Sequence, residues 1–332
     1  MAGLLVYFTG AIGYLTASTF YQVLGFRALS GLGTSLIFSC ANAYIGEMAP
    51  RGSEGRWFGF FATANIVGFG VGPLLAGGLR QVWGFNSAFI GMALLMGFSA
   101  IVVFAFLPKR PPMSYRSVEH ESPVAGGLVA AIRDRLVLAI CLSMALISLS
   151  MGATLSFLAV KLESRLGAAP LIIGVAFAVQ NLSSGFVQPV AGHLADTVSR
   201  PLLICLGLGW TVLMLISLGL VESLPLVFLV LVGMGTGSAL SQVTAGAMQV
   251  VAGRRAGMGS VIGLSSGANG VGILVGSVIG GVLVDRFSVD AAFYFGAGAT
   301  LIGIPLFFWL TRNTPTTERF HAEPAAAPGV TR

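Results

Sequence analysis

The stretch GFGVGPLLAGGL, Gly68 to Leu79, sets six small residues and a proline inside a run that otherwise has the apolar character of a membrane-spanning helix. Within a bilayer no hydrophobic force drives one helix onto another, so small residues four apart serve to bring backbones close. Gly68, Gly72 and Ala76 share one helix face at that spacing. Pro73 removes a backbone donor and bends the helix, which a neighbour must accommodate. The composition agrees: 55% of the 332 residues are hydrophobic and 9% charged, with a mean hydropathy of +0.90. That leaves too little polar surface to cover a soluble globule. The chain reads as an all-α integral membrane protein.

The net charge of +6 does not point to nucleic acid, because Lys and Arg stand singly or in pairs at the ends of apolar runs without interleaved aromatics. Cys40, Cys141 and Cys205 are isolated thiols inside apolar runs, with neither disulfide nor metal-ligand spacing. His120, His193 and His321 suggest no metal site, and no cofactor is expected. There is no phosphate-binding G-x-x-x-x-G-K-[ST] loop for an ATP-driven pump, and no nucleophile and base share a motif that would make an enzyme.

Ten apolar segments are long enough to cross a bilayer as helices, over about 2–19, 22–45, 57–79, 86–107, 136–158, 170–191, 202–221, 225–248, 258–284 and 291–310. Thirteen Lys and Arg fall on one set of connections and tails, whereas the other set holds only Arg80, Lys161, Arg165 and Arg286. Positive loops stay in the cytoplasm, so both termini are expected there, in a multi-pass protein of the cell (plasma or inner) membrane. Residues 1–107 form a four-helix bundle, 108–135 a Pro/Ser-rich cytoplasmic linker, 136–311 a six-helix bundle and 312–332 a disordered cytoplasmic tail.

An internal repeat underlies this division. A shift of 204 residues carries Gly59, Asn65, Gly68, Gly72 and Gly77 onto Gly263, Asn269, Gly272, Gly276 and Gly281. The repeat pairs helices one to four with seven to ten and leaves five and six unmatched. A complete duplication would have six helices in each half, so the natural product is expected to carry two more helices before Met1.

Three motifs resemble those of the major facilitator superfamily (MFS) of transporters. GHLADTVSR, Gly192 to Arg200, resembles the cytoplasmic pattern G-x-L-A-D-R-x-G-R-K, with Thr197, Ser199 and Pro201 departing from it. FRALSGLGTS, Phe26 to Ser35, resembles the Arg-x-x-x-Gly pattern of the fourth helix. Gly59, Gly68, Gly72, Pro73 and Gly77 resemble the fifth-helix pattern of the drug/proton antiporter branch, with Ala76 in place of a glycine. The resemblance implies a two-bundle fold of about ten transmembrane helices here (four plus six). It also implies a monomeric secondary carrier of small organic solutes, exporting by alternating access with protons as a candidate coupling ion. It gives Arg27 and Gly31 a part in coupling, and the glycine stretch a sealed interface that limits leak and favours export.

Arg27 is the one charged side chain well inside a predicted span, which makes it a functional candidate, with snorkelling to the interface as the bland alternative. No span contains Asp or Glu away from its ends, so a coupling acid is expected in the two absent helices, or coupling is not to protons. Gly192, Asp196 and Arg200 read as a switch in which Asp196 caps the next helix or pairs with a cation in one conformation and releases it in the other. Asn65, Gln180, Asn181, Gln188, Gln242 and Asn269 are candidates for a polar substrate cavity, or equally for interhelical hydrogen bonds. Two functions stand side by side: an exporter of small organic solutes, or a transport-inactive ten-helix remnant, scaffold or sensor on the same fold.

Overall fold

The computed structural model describes residues 2–48, 54–106 and 132–312. These form ten helices joined by short connections: α1 (Ala2–Thr16), α2 (Phe20–Met48), α3 (Glu54–Trp83), α4 (Phe85–Phe106), α5 (Arg135–Leu166), α6 (Pro170–Thr197), α7 (Arg200–Leu220), α8 (Leu224–Ala256), α9 (Met258–Arg286) and α10 (Val289–Thr311). Seven are long and apolar enough to cross a membrane, and α1, at 15 residues, is apolar but shorter. Most of the expected linker and tail, residues 107–131 and 313–332, lie outside the described residues.

Local chemistry sets the helix ends. Thr19 and Gln22 form a reciprocal capping box at α2: the Gln22 amide carbonyl accepts from the Thr19 N–H at 3.3 Å, and the Thr19 hydroxyl accepts from the Gln22 N–H at 3.4 Å. Asp134 caps α5, its Oδ1 accepting from the Leu136 N–H at 2.8 Å. Two boundaries differ from the sequence expectation. Helix α5 runs to Leu166 rather than 158, because AVKLESRL contains good helix formers and no breaker; Gly167 then ends it at φ 59°. Lys161, Glu163 and Arg165, read as outer-loop residues, are therefore helical, and Lys161 is only 2% exposed. Similarly α3 runs to Trp83, which places Arg80 in a helix, and Gly84 at φ 86° ends it. GHLADTVSR, read as a loop, continues α6 as far as Thr197.

The described helices gather into two compact units. One holds α1–α4 with residues 158–185 and 221–235; the other holds the remaining described residues. In the first, α1 packs on α2 and α4, and α3 on α4. Glycines permit the α1–α2 contact: a methyl on Gly33 would come 2.8 Å from the Tyr7 backbone nitrogen, and one on Gly3 would meet Leu36 at 2.9 Å.

The second unit has a core of Ile140, Leu146, Ile204, Leu208, Met248, Val261 and Phe307. Here α9 lies against α5 with almost no side chain between them. Methyl groups on Gly272 and Gly276 would overlap the carbonyl oxygens of Ala145 and Leu149, and one on Gly152 would sit 2.6 Å from that of Ile273. Hydroxyl pairs lock the same region, Ser156 donating to Ser277 at 3.0 Å and Ser150 sharing a hydrogen bond with Thr300 at 3.0 Å. Since Thr300 is fully buried, Ser150→Ala is expected to cost about 1 kcal/mol, the scale of interhelical hydrogen bonds in membranes. Thermal unfolding in detergent checks this against wild type.

Candidate functional site

The first unit contains a clamp between the end of α3 and the ends of α5 and α6 that face it. Pro73 and Gly77 lie on one face of α3, with Gly70 a turn earlier. A methyl on Gly77 would overlap the Pro170 carbonyl oxygen and sit 3.3 Å from the Gly174 Cα. Reciprocally, a methyl on Gly174 would overlap the Pro73 carbonyl oxygen and sit 3.0 Å from the Leu74 Cα. The two backbones touch, and only glycine fits on either side.

Polar contacts finish this end. Pro170 opens α6, where the absent proline N–H costs nothing. The next amide, Leu171 N–H, has no partner within its own helix and donates instead to the Gln81 side-chain oxygen at 3.3 Å. Arg80 Nη2 donates to Glu163 Oε1 at 2.7 Å, and the Arg80 guanidinium lies 5.6 Å from the Phe85 ring centroid. At 35% and 52% exposure the ion pair contributes at most about 1 kcal/mol, so the backbone fit, with the ion pair secondary, defines the clamp.

The glycine face expected from the sequence is divided differently in the structure. Gly59 lies in α3. A Cβ at Gly68 or Gly72 would have nothing within 4 Å among the described residues, while Gly77, on the opposite side of α3, makes the close approach. The repeat partners Gly272 and Gly276 do pack, onto α5. The same small-residue pattern thus serves a helix contact in one half and an open face in the other. Gly31 also has nothing within 4 Å, and the contact the sequence reading missed belongs to Gly33, two residues on.

Arg27 lies eight residues into α2 and is exposed, with no hydrogen bond or ion pair to its side chain among the described residues. Arg200 opens α7. Its Nε donates to the Ala195 carbonyl at 3.3 Å, and its Nη1 is buried with no hydrogen-bond partner among the described residues. The side chain of Asp196 lies outside the described residues, and Gly192 is 3.9 Å from Val243 at the position of a Cβ. Of the candidate amides, Asn65, Gln180 and Asn181 fall in the first unit and Gln188, Gln242 and Asn269 in the second. Asn181 donates to the Phe177 carbonyl of its own helix at 2.8 Å, and Gln242 is exposed. Among the described residues no three His, Cys, Asp or Glu side chains cluster as metal ligands would.

The ion pair of Arg80 and Glu163 was not read from the sequence. Its signal was present as two opposite charges on adjacent outer connections, hidden by ending α3 and α5 too early.

Comparison with known proteins places this geometry in context. The sequence profile of the Major Facilitator Superfamily matches residues 1–159 and, in a second match, 140–331. The chain is 24% identical over 307 residues to the multidrug resistance protein MdtG of Proteus mirabilis, covering 90% of this chain and 74% of that one. Over 104 residues it is 29% identical to the multidrug transporter QDR2 of Candida glabrata, a match that spans 31% of this chain and 18% of that protein's length. A bacterial homologue of the human lysosomal transporter Spinster, solved in an inward-facing and occupied conformation, superposes with a TM-score of 0.73 at 16% identity, over 94% of this chain and 82% of the other. This last likeness is one of fold.

Proposed function

The chain belongs to the major facilitator superfamily, and from that footing we propose that it exports small organic solutes across the cell membrane by alternating access, drawing on a proton gradient. As a member of that family it is a multi-pass membrane transport protein that acts on small molecules, and not an enzyme. The observation that carries the finer reading is the clamp of Gly77 against Pro170 and Gly174 against Pro73, which closes one end of the α3–α6 contact without side chains. Residues 1–107 and 136–311 are the two bundles that rock. With the Lys- and Arg-rich connections read as cytoplasmic, the clamp falls on the outer face, where it would act as a seal. Export of drug-like molecules is supported by the likeness to MdtG and by the α3 glycine pattern. Arg27, Gly31, Gly192, Asp196 and Arg200 remain the proposed coupling and switching residues, and the six amides the proposed cavity lining. A single copy is the proposed working unit.

The test is dye movement in proteoliposomes holding the purified chain, with an anionic, a neutral and a cationic fluorescent dye each tried under an imposed pH gradient. Transport of at least one dye that collapses when nigericin removes the gradient is the expected result. Movement that persists without the gradient removes proton coupling, and no movement of any dye favours the transport-inactive alternative.

A further inference from the structure

Beside the clamp, α3, α4 and α6 line an open cavity of about 220 Å3 whose wall includes Pro73, Phe85, Phe89, Ile173 and Phe177. Among the described residues Arg80 is the one polar side chain on its wall. We propose that this cavity binds a small amphipathic organic anion, a one- or two-ring body carrying a single sulfonate or carboxylate. The volume lies below the roughly 300 Å3 at which pockets for drug-sized ligands begin, which suits a body of a ring or two. Three phenylalanines supply flat apolar surface for such a ring.

The charge on the site selects the sign of the ligand. Arg80 gives only Nη2 to Glu163, and a guanidinium carries five N–H donors in a fixed fork. The remaining donors suit a planar carboxylate or the oxygens of a sulfonate. Of the elements around the cavity, α4 carries no charged residue, and α6 contributes only Asp196, near its far end. At the end of α5 stand Lys161, Glu163 and Arg165, so with Arg80 this end holds three cations against one carboxylate. An organic cation entering the cavity would meet Arg80 first and find Glu163 already paired. An anion would share Arg80 with Glu163, weaken the pair that ties α3 to α5, and so favour opening of the clamp. This gives the proposed exporter a substrate or effector class, and to that extent rests on the transport reading.

The experiment is equilibrium titration by calorimetry of the full chain in phosphatidylcholine nanodiscs, with empty nanodiscs as blank. The probes are 1-naphthalenesulfonate and, as its cationic counterpart, 1-naphthylmethylammonium. The sulfonate is expected to bind at least about tenfold more tightly than the ammonium, and Arg80→Gln to weaken it about tenfold, the scale of one charge-assisted hydrogen bond. Arg80→Lys should keep the preference for the anion, and Phe177→Ala should weaken both probes. Glu163→Gln, which removes the internal competitor, should tighten the sulfonate severalfold. Equal or tighter binding of the ammonium, or no change with Arg80→Gln, overturns the proposal. Should Arg80→Gln not fold, Glu163→Gln decides, because unchanged or weaker sulfonate binding in that variant also overturns it. Binding is read without transport, so a failed titration leaves dye export standing, and a failed export assay leaves the site standing.

Discussion

Gly77→Val is expected to slow dye transport roughly tenfold to a hundredfold while the protein still inserts and purifies as a folded species. A Cβ at this position overlaps the Pro170 carbonyl oxygen, and the Gly174 Cα lies just beyond it. Both are backbone atoms, which cannot rotate away as a side chain would. The helices must then part at this end, and the cost, about 1–3 kcal/mol for an overpacked contact, falls on the closed state alone. A carrier that closes less often turns over less often. The neighbouring Gly78 makes the control, since a methyl there meets only Leu171 Cδ1, at 3.7 Å, and Gly78→Ala should leave transport within about twofold. Initial rates in proteoliposomes compare the two; equal rates would mean that the clamp does not limit the cycle.

The second large effect is on stability, and it separates two residues that the repeat makes equivalent. Gly276→Val is expected to destabilise the protein by about 1–3 kcal/mol, because its side chain is driven into the Leu149 carbonyl and towards the Ala153 nitrogen, 3.2 Å from the Cβ position. At the repeat-related Gly72 a Cβ has nothing within 4 Å among the described residues, and Gly72→Val should change stability by less than about 0.5 kcal/mol. Thermal unfolding of both variants in one detergent, read by retention of a monodisperse peak, gives the difference directly. Equal losses would show that the open face on α3 is in fact filled.

Apolar runs, helix number and the repeat were legible because a bilayer imposes a length and a hydropathy that few other environments demand. The small-residue pattern was legible too, but its partner was not. Gly68 and Gly272 carry the same local signal, and only tertiary placement decides that one packs on α5 and the other faces open space. Helix ends were misjudged where charged residues follow the apolar run. AVKLESRL is mostly good helix formers and holds no breaker, and the stop comes from Gly167, whose positive φ no periodicity reveals. That shortfall concealed the Arg80–Glu163 pair. Arg27, read as a functional candidate or a residue that snorkels to the interface, has an exposed side chain in the structure.

The central claim, that this end of the α3–α6 contact opens and closes during transport, is tested most directly by locking it. With Cys40, Cys141 and Cys205 replaced by alanine, cysteines at Gln81 and Leu171, whose native groups share the 3.3 Å hydrogen bond, are joined by a short thiol cross-linker that can be cleaved by reduction. Dye transport is predicted to stop on cross-linking and to return on reduction, with either single cysteine unaffected. Full transport by the cross-linked protein would contradict the account.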